Sequence, residues 1–293
     1  MNDKSQTAKS FSEKWHNNQQ LAFAQTLTEG SDIQRWILER NGLGDVAGLT
    51  EWLASRRRVL DAGCGNGRVT ALLRSFAPDN TEVVGIDLTA ADVAAENLAG
   101  APNMHFESRD LLGDLSGLGK FDLIYCQEVL HHTADPAAAF RNVATLLSPG
   151  GEIAIYVYKL KAPVREFTDD LVRERISELP YEQAMAAMRQ IAELGRALSA
   201  LKVDVTVPDV EVLDIEGGTY DIQRFIYHFF GKFFWNDELE FEANAAINLD
   251  WYHPQLATRH TLGEVEGWFE SADLTVVHSH VDPYGITVRG VRS

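Results

Sequence analysis

Residues 59 to 70 read VLDAGCGNGRVT, an apolar run that passes directly into three alternate glycines and then into a stretch with helical spacing. The order is that of a strand, a tight turn and a helix. Gly63, Gly65 and Gly67 permit the turn and let a ligand approach the backbone closely. An isolated Gly-x-Gly-x-Gly says little, because loops produce it by chance. Its neighbours carry the reading: Asp61 stands just before the glycines, and Asp87 closes the next apolar run, VVGIDL.

Outward from this point, residues 58 to 158 alternate short apolar runs with helical stretches, as a parallel α/β sheet requires. The strands are RVLDAG, TEVVGIDL, MHFESRD, FDLIYCQ and GEIAIYVY. Between them GRVTALLRSFA, ADVAAENLAG and PAAAFRNVATLLSPG have helical periodicity, and the last ends in Pro-Gly-Gly, a stop and turn signal. Towards the C-terminus a helix, TLGEVEGWFESA, precedes two strands, LTVVHSHV and YGITVRG, joined by a turn at 282 to 285. An extra segment from 159 to 258 interrupts this pattern. It holds REFTDDLVRERISEL and YEQAMAAMRQIAELGRALSALK, both amphipathic and helical, with Pro180 between them, and then an aromatic run from 219 to 254. The first 50 residues read as one or two helices, SDIQRWILERNG and DVAGLTEWLAS.

The 293 residues carry 26 Lys and Arg against 43 Asp and Glu, a formal charge of −17. Phosphate backbones and acidic membranes repel such a chain, which makes nucleic acid and membrane poor candidates as partners. Arg56, Arg57 and Arg58 read as a solvated helix end. The two cysteines, Cys64 and Cys126, lack metal-ligand spacing, so neither a disulfide framework nor a metal site is expected. The N-terminus has no signal-peptide core and no stretch approaches the ~18 apolar residues of a membrane span. The chain reads as cytoplasmic.

With Asp110 ending the third strand, in ESRDLL, the motifs arrive in the order found in class I S-adenosylmethionine-dependent methyltransferases, whose first motif resembles LDAGCGNGR. The resemblance covers 58 to 158 and 260 to 290. It implies a Rossmann-like α/β fold: a seven-stranded, mostly parallel sheet with an antiparallel last strand, and a helical cap inserted after the fifth strand. The implied domains are N-terminal helices forming a lid (1–57), the core (58–158 with 259–293) and the cap (159–258). S-adenosylmethionine is the implied cofactor. By the same resemblance Gly63, Gly65 and Gly67 line its methionine part, Asp87 holds the ribose, Asp110 meets the adenine amino group, Leu111 lies against the ring, and Leu88 is a further cofactor-binding residue. Gln127 ends the fourth strand beside the cofactor, and Asp61 orients the loop or meets the methionine amino group. An acid at that place disfavours a pyrophosphate and hence a dinucleotide.

His131 and His132 follow the fourth strand and are the candidate catalytic bases, since an imidazole takes a proton near neutrality. The alternative is that one of them packs or caps the next helix. Their adjacency argues against a metal site. In the aromatic run, Asn244 and Asn248 are one helical turn apart, and with Trp251, Tyr252 and Arg259 they are the candidate substrate-binding residues. Arg259 or His260 is suited to a carboxylate. Thr261 and Glu264 fit a capping box. Phe11, Trp15 and His16 are candidates for a lid over the cofactor. The expected activity is methyl transfer to S, N or O of a small polar, amino-acid-like metabolite, with a homodimer allowed. The alternatives are a tRNA or protein methyltransferase and a regulatory protein that binds S-adenosylmethionine without turnover.

Overall fold

The computed structural model describes residues 3–293. The chain divides into two compact units. One comprises Trp15–Lys159 with Thr258–Ser293, and the other joins Leu160–Ala257 to the N-terminal segment ending at Lys14.

The sheet unit is built on β1 (Arg58–Ala62), β2 (Glu82–Asp87), β3 (Met104–Ser108), β4 (Phe121–Gln127) and β5 (Leu147–Tyr158). After the insert, which contributes a separate hairpin of β6 (Asp204–Val207) and β7 (Gly218–Asp221), the sheet resumes with β8 (Leu274–Val281) and β9 (Gly285–Arg292). The seven strands lie in the order β3-β2-β1-β4-β5-β9-β8. β1 to β5 pair in parallel, and β9 runs antiparallel to both of its neighbours. This is the expected sheet, antiparallel last strand included.

The central strands read as unbroken apolar runs because both faces are covered. Successive side chains point to opposite faces. Leu60, Ala62, Val84, Ile86, Ile124, Cys126, Ile153 and Ile155 enter one core, while Val59, Val83, Leu123, Tyr125 and Ala154 enter the other. The first face is closed by α7 (Pro136–Ala144) and α12 (Leu262–Ser271) through Phe140, Val143, Trp268 and Phe269. The second is closed by α3 (Asp32–Arg40), α4 (Val46–Leu53) and α5 (Arg68–Phe76) through Ile37, Leu38, Leu49, Trp52, Leu53, Val69 and Leu72. α6 (Ala91–Asn97) follows β2. Short polar side chains start the helices: Ser31 accepts from Gln34 N, Asp45 from Ala47 and Gly48 N, and Asp135, ahead of Pro136, from Ala138 N.

Two local expectations change here. Arg56 and Arg58 are not a solvated helix end: Arg56 donates to Glu152 at 2.7 Å and Arg58 to the Leu118 and Lys120 carbonyls, so the pair ties strand starts together. The N-terminal region adds two helices, α1 (Asp3–Asn17) and the short α2 (Phe23–Leu27). α1 buries Gln6, Thr7, Ser10 and Lys14 instead of an apolar stripe, which is why no hydrophobic period announced it.

In the other unit the helices are α8 (Pro163–Ile176), α9 (Tyr181–Ala200), α10 (Ile222–Phe229) and α11 (Phe241–Tyr252). The β6–β7 hairpin is an addition to the all-helical expectation. α9 packs on α11, and a Cβ on Gly195 would stand 2.5 Å from the Phe233 carbonyl, so the helix can approach that backbone only with glycine there. α1 joins this unit through polar side chains. Gln6 donates to the carbonyls of Ser177 and His253 at 2.6 and 2.8 Å, and Lys14 pairs with Asp250 at 3.0 Å. Among the described residues no helix is long and apolar enough to cross a membrane.

Candidate active site

The glycine turn leans on the end of β2. The amides of Gly63 and Cys64 both donate to the Ile86 carbonyl, at 2.7 and 3.0 Å. Gly63 has φ +93°, and a Cβ there would stand 2.2 Å from Val129 Cγ2. Gly65 has φ +53° and faces the Trp15 indole, 2.8 Å from the place of a Cβ. Both positions therefore demand glycine, by conformation and by space. Gly67 is the N-cap of α5.

Asp87 ties this turn to the next one. Its Oδ2 accepts from Gly65 N at 3.0 Å, and its Oδ1 accepts from Thr89 N, Thr89 Oγ1 and Ala90 N at 2.8, 3.1 and 3.0 Å. Oδ2 has a single donor among the described residues and keeps accepting capacity. Beside it Leu88 is 43% exposed, an open apolar surface at a strand end. Asp110 accepts from Leu112 N at 3.0 Å. Leu111 is packed into the core, so Leu88 offers more surface to a flat ring than Leu111 does.

Asp61 is buried beneath the loop and accepts from Thr70 Oγ1 of α5 at 2.6 Å. Burial pushes its pKa up from 3.8 to about 6, the Thr70 hydrogen bond and Arg68 opposing the shift. Its observed bond orients the loop through α5. Sequence reasoning missed Thr70, although it lies in the quoted stretch. It also missed Asn66 and Asn97. Asn66 Nδ2 donates to the carbonyls of Gln19 and Leu21, and Asn97 Nδ2 to those of Gln19 and Asn66, all between 2.9 and 3.1 Å. His16 reaches Asp92 at 3.1 Å. Residues 15 to 21 are thereby fastened to the glycine loop and α6. Phe11 belongs instead with the insert, its ring 5.5 Å from Lys14 Nζ.

At the end of β4 the Tyr125 hydroxyl donates to Gln127 Oε1. Glu128 follows with φ +61°, a strained conformation for a side-chain-bearing residue, and lies 3.5 Å from Arg68. The two histidines differ. His131 is fully buried, stacks on Tyr158 with ring centroids 3.5 Å apart, and its Nδ1 accepts from Tyr158 N at 3.3 Å. Its carbonyl also holds Thr258 N at 2.9 Å. That environment is scaffold. His132 is half-buried and sits edge-on to Tyr158.

The insert residues expected to bind substrate are engaged in bonds within the protein. Asn244 and Asn248 have no exposed surface. Asn244 Oδ1 accepts from Asn236 N at 2.8 Å and its Nδ2 donates to three carbonyls, while Asn248 holds both the N and O of Phe234 at 3.0 and 3.1 Å. These amides clamp the 234–240 backbone onto α11 and have no surface left for a ligand. Trp251 and Tyr252 are buried donors to Asp169, at 2.7 and 3.0 Å, and so belong to the core of the insert. Arg259 is half-buried. His260 is buried between Thr258 Oγ1 and Glu264 at 2.9 and 2.8 Å, which leaves it no nitrogen for a carboxylate. Glu264 is thus drawn to His260, and the other half of the capping box, Thr261 accepting from Glu264 N, forms at 3.3 Å. Among the described residues no group of three or more His, Cys, Asp or Glu is placed to hold a metal ion.

The family model described as a methyltransferase domain matches residues 35–206. The chain is 37% identical over 122 residues to a ubiquinone biosynthesis O-methyltransferase of Albidiferax ferrireducens, covering 40% of this chain and 42% of that protein. It is 34% identical over 151 residues to the Psychrobacter cryohalolentis protein of the same name, covering 46% and 55%. An uncharacterised protein of Synechococcus matches at 37% over 108 residues, 35% of this chain and 26% of that protein. The chain therefore spans about half or less of the length of these relatives. Among solved structures, a Burkholderia thailandensis 1,6-didemethyltoxoflavin-N1-methyltransferase with bound S-adenosylhomocysteine superposes with TM-score 0.50 at 14% identity, over 99% of this chain and 88% of that one. At that identity the likeness is one of fold.

Proposed function

Since this chain belongs to the methyltransferase-domain family, whose class I members draw on S-adenosylmethionine, we propose that it methylates an oxygen atom of a small organic molecule. The observation that carries the cofactor reading is the bond from Gly65 N to Asp87 Oδ2, which joins the glycine turn to a carboxylate with accepting capacity to spare. The residues suit the cofactor. The Gly63–Gly67 turn sets its backbone beside the Asp87 carboxylate, Asp87 suits a ribose diol, and Leu88 with Asp110 suits an adenine. When bound, the cofactor supplies a methyl group already activated on a sulfonium. The protein's own work is to align the accepting atom and exclude water.

Oxygen is favoured as the accepting atom by the likeness to ubiquinone biosynthesis O-methyltransferases. A neutral hydroxyl must lose its proton, and of the two histidines His132 is the candidate base. His131 is committed to Tyr158. The amino-acid-like substrate is expected from Arg259 or His260, and since His260 is held by Thr258 and Glu264 that expectation passes to Arg259. A net charge of −17 supports a small-molecule partner over a nucleic acid.

Calorimetry with S-adenosylhomocysteine should show binding, and incubation with methyl-labelled S-adenosylmethionine and a library of phenols and hydroxyquinols should yield a labelled O-methyl product by mass spectrometry. Absence of cofactor binding would overturn the reading. Asp87→Ala removes a carboxylate acceptor together with the anchor of Gly65. S-adenosylhomocysteine affinity should fall about ten- to a hundredfold, the range of a hydrogen bond to a charged group. Equal affinity in the same titration rules out the ribose role.

A further inference from the structure

Gln127 is held by a chain of hydrogen bonds whose direction is chemically fixed. Asn41 Nδ2 donates to the Ile37 carbonyl at 2.8 Å. A carbonyl only accepts, so the Asn41 atom facing it must be the amide nitrogen; turned over, Asn41 would set two acceptors face to face. The same nitrogen donates to the Tyr125 hydroxyl at 3.0 Å. The single proton of that hydroxyl is then free to go only to Gln127, whose facing atom is therefore Oε1. Burial pushes the Tyr125 pKa up, so the hydroxyl keeps its proton across the working pH range.

With Oε1 turned to the Tyr125 hydroxyl, the side of the amide facing away from Tyr125 presents the N–H groups of Nε2, which bond to nothing among the described residues. The side chain is half-buried at the end of β4. Asp61 is level with Tyr125 across the β1–β4 pair, and Gln127, two residues further on, ends β4 as Gly63 begins the turn after β1. The sheet order is β3-β2-β1-β4. A nucleoside whose ribose and base lie over Asp87 at the end of β2 and Asp110 after β3 directs its remaining substituent past β1 towards β4. In the cofactor proposed above, that substituent is an amino acid with one group that only accepts, the carboxylate, and one that only donates, the ammonium.

We infer that Gln127 donates from Nε2 to the cofactor carboxylate, and that Tyr125, fixed in turn by Asn41, is the positioning residue that keeps the amide in this sense. The inference rests on the cofactor reading of the glycine turn. An amide free to turn over serves a carboxylate or an ammonium equally. One locked by Tyr125 discriminates between them.

The test compares two probes by calorimetry: S-adenosylhomocysteine, and 5′-methylthioadenosine, which lacks the amino-acid end. Gln127→Glu keeps an acceptor for Tyr125 but replaces the donor with an anionic oxygen. It should weaken S-adenosylhomocysteine by about tenfold or more, the scale of a lost charge-assisted bond, and leave methylthioadenosine within about twofold. Tyr125→Phe should weaken S-adenosylhomocysteine several-fold, again sparing methylthioadenosine. Retained methylthioadenosine binding shows that each variant is folded at the site. If the parent binds neither probe, the cofactor reading fails and the inference with it. If the parent binds both and Gln127→Glu weakens neither, or weakens both alike, only the role of Gln127 is overturned.

Discussion

An Asp169→Ala variant is expected to lose about 3–5 kcal/mol of unfolding free energy, the cost of leaving a buried charge without its partner. Arg165 and Asp169 are one helical turn apart on α8, with side chains 1% and 2% exposed. Arg165 Nε lies 2.9 and 2.8 Å from the two carboxylate oxygens, which also accept from Trp251 Nε1 and the Tyr252 hydroxyl. Burial acts against the Arg165 charge and Asp169 supports it. Removing the carboxylate strands the guanidinium between the Tyr227 and Trp251 rings and takes away the acceptor of two buried donors. Denaturant unfolding measures the loss. An Arg165→Met/Asp169→Leu double variant should recover the part owed to the stranded charge, because it removes both charges and fills the space, while the loss of the acceptor for Trp251 Nε1 and the Tyr252 hydroxyl remains. A single-variant loss below about 1 kcal/mol would mean that the pair behaves as an exposed one.

The second large effect is a pH dependence centred on Asp61. Its folded-state pKa is about 6 against an ordinary 3.8, so between those values the folded protein binds a proton that the unfolded chain has already lost. Stability from this group is present below pH 3.8 and is lost as pH rises to about 6. A shift of this size amounts to about 3 kcal/mol. Asp61→Asn retains an acceptor for Thr70 without the charge. Its stability relative to the parent should therefore climb by that amount between pH 4 and 6.5 and then level off. Unfolding curves taken across this range for both proteins give the comparison directly. A difference that stays flat with pH would show that Asp61 is not held above its ordinary value.

What could be read from the sequence follows the kinds of force involved. The sheet strands announce themselves because burial on both faces writes Val, Ile and Leu continuously, and the glycine turn does so because left-handed backbone at Gly63 admits nothing larger. α1 stayed hidden because it is held by Gln6, Ser10 and Lys14 through hydrogen bonds and an ion pair, which leave no period. Asn244 and Asn248 were misread for a related reason. An amide aimed at a ligand and one aimed at a backbone loop have the same sequence, and only the fold shows that 234–240 comes within reach. The sense of Gln127 is set by Asn41, 86 positions away along the chain, through Tyr125.

The place of β9 between β5 and β8 governs how the sheet can assemble. Gly285–Arg292 supplies seven pairs to the edge of β5 that faces away from β4, and seven to β8. As the ribosome delivers the chain, β1 to β5 can pair in turn, but β5 keeps an open apolar edge until the whole insert and β8 have been made. During that interval it is a template for any extended strand. Loss of β9 would leave two raw edges in the middle of the sheet, so it should be felt as aggregation before it is felt as lost chemistry.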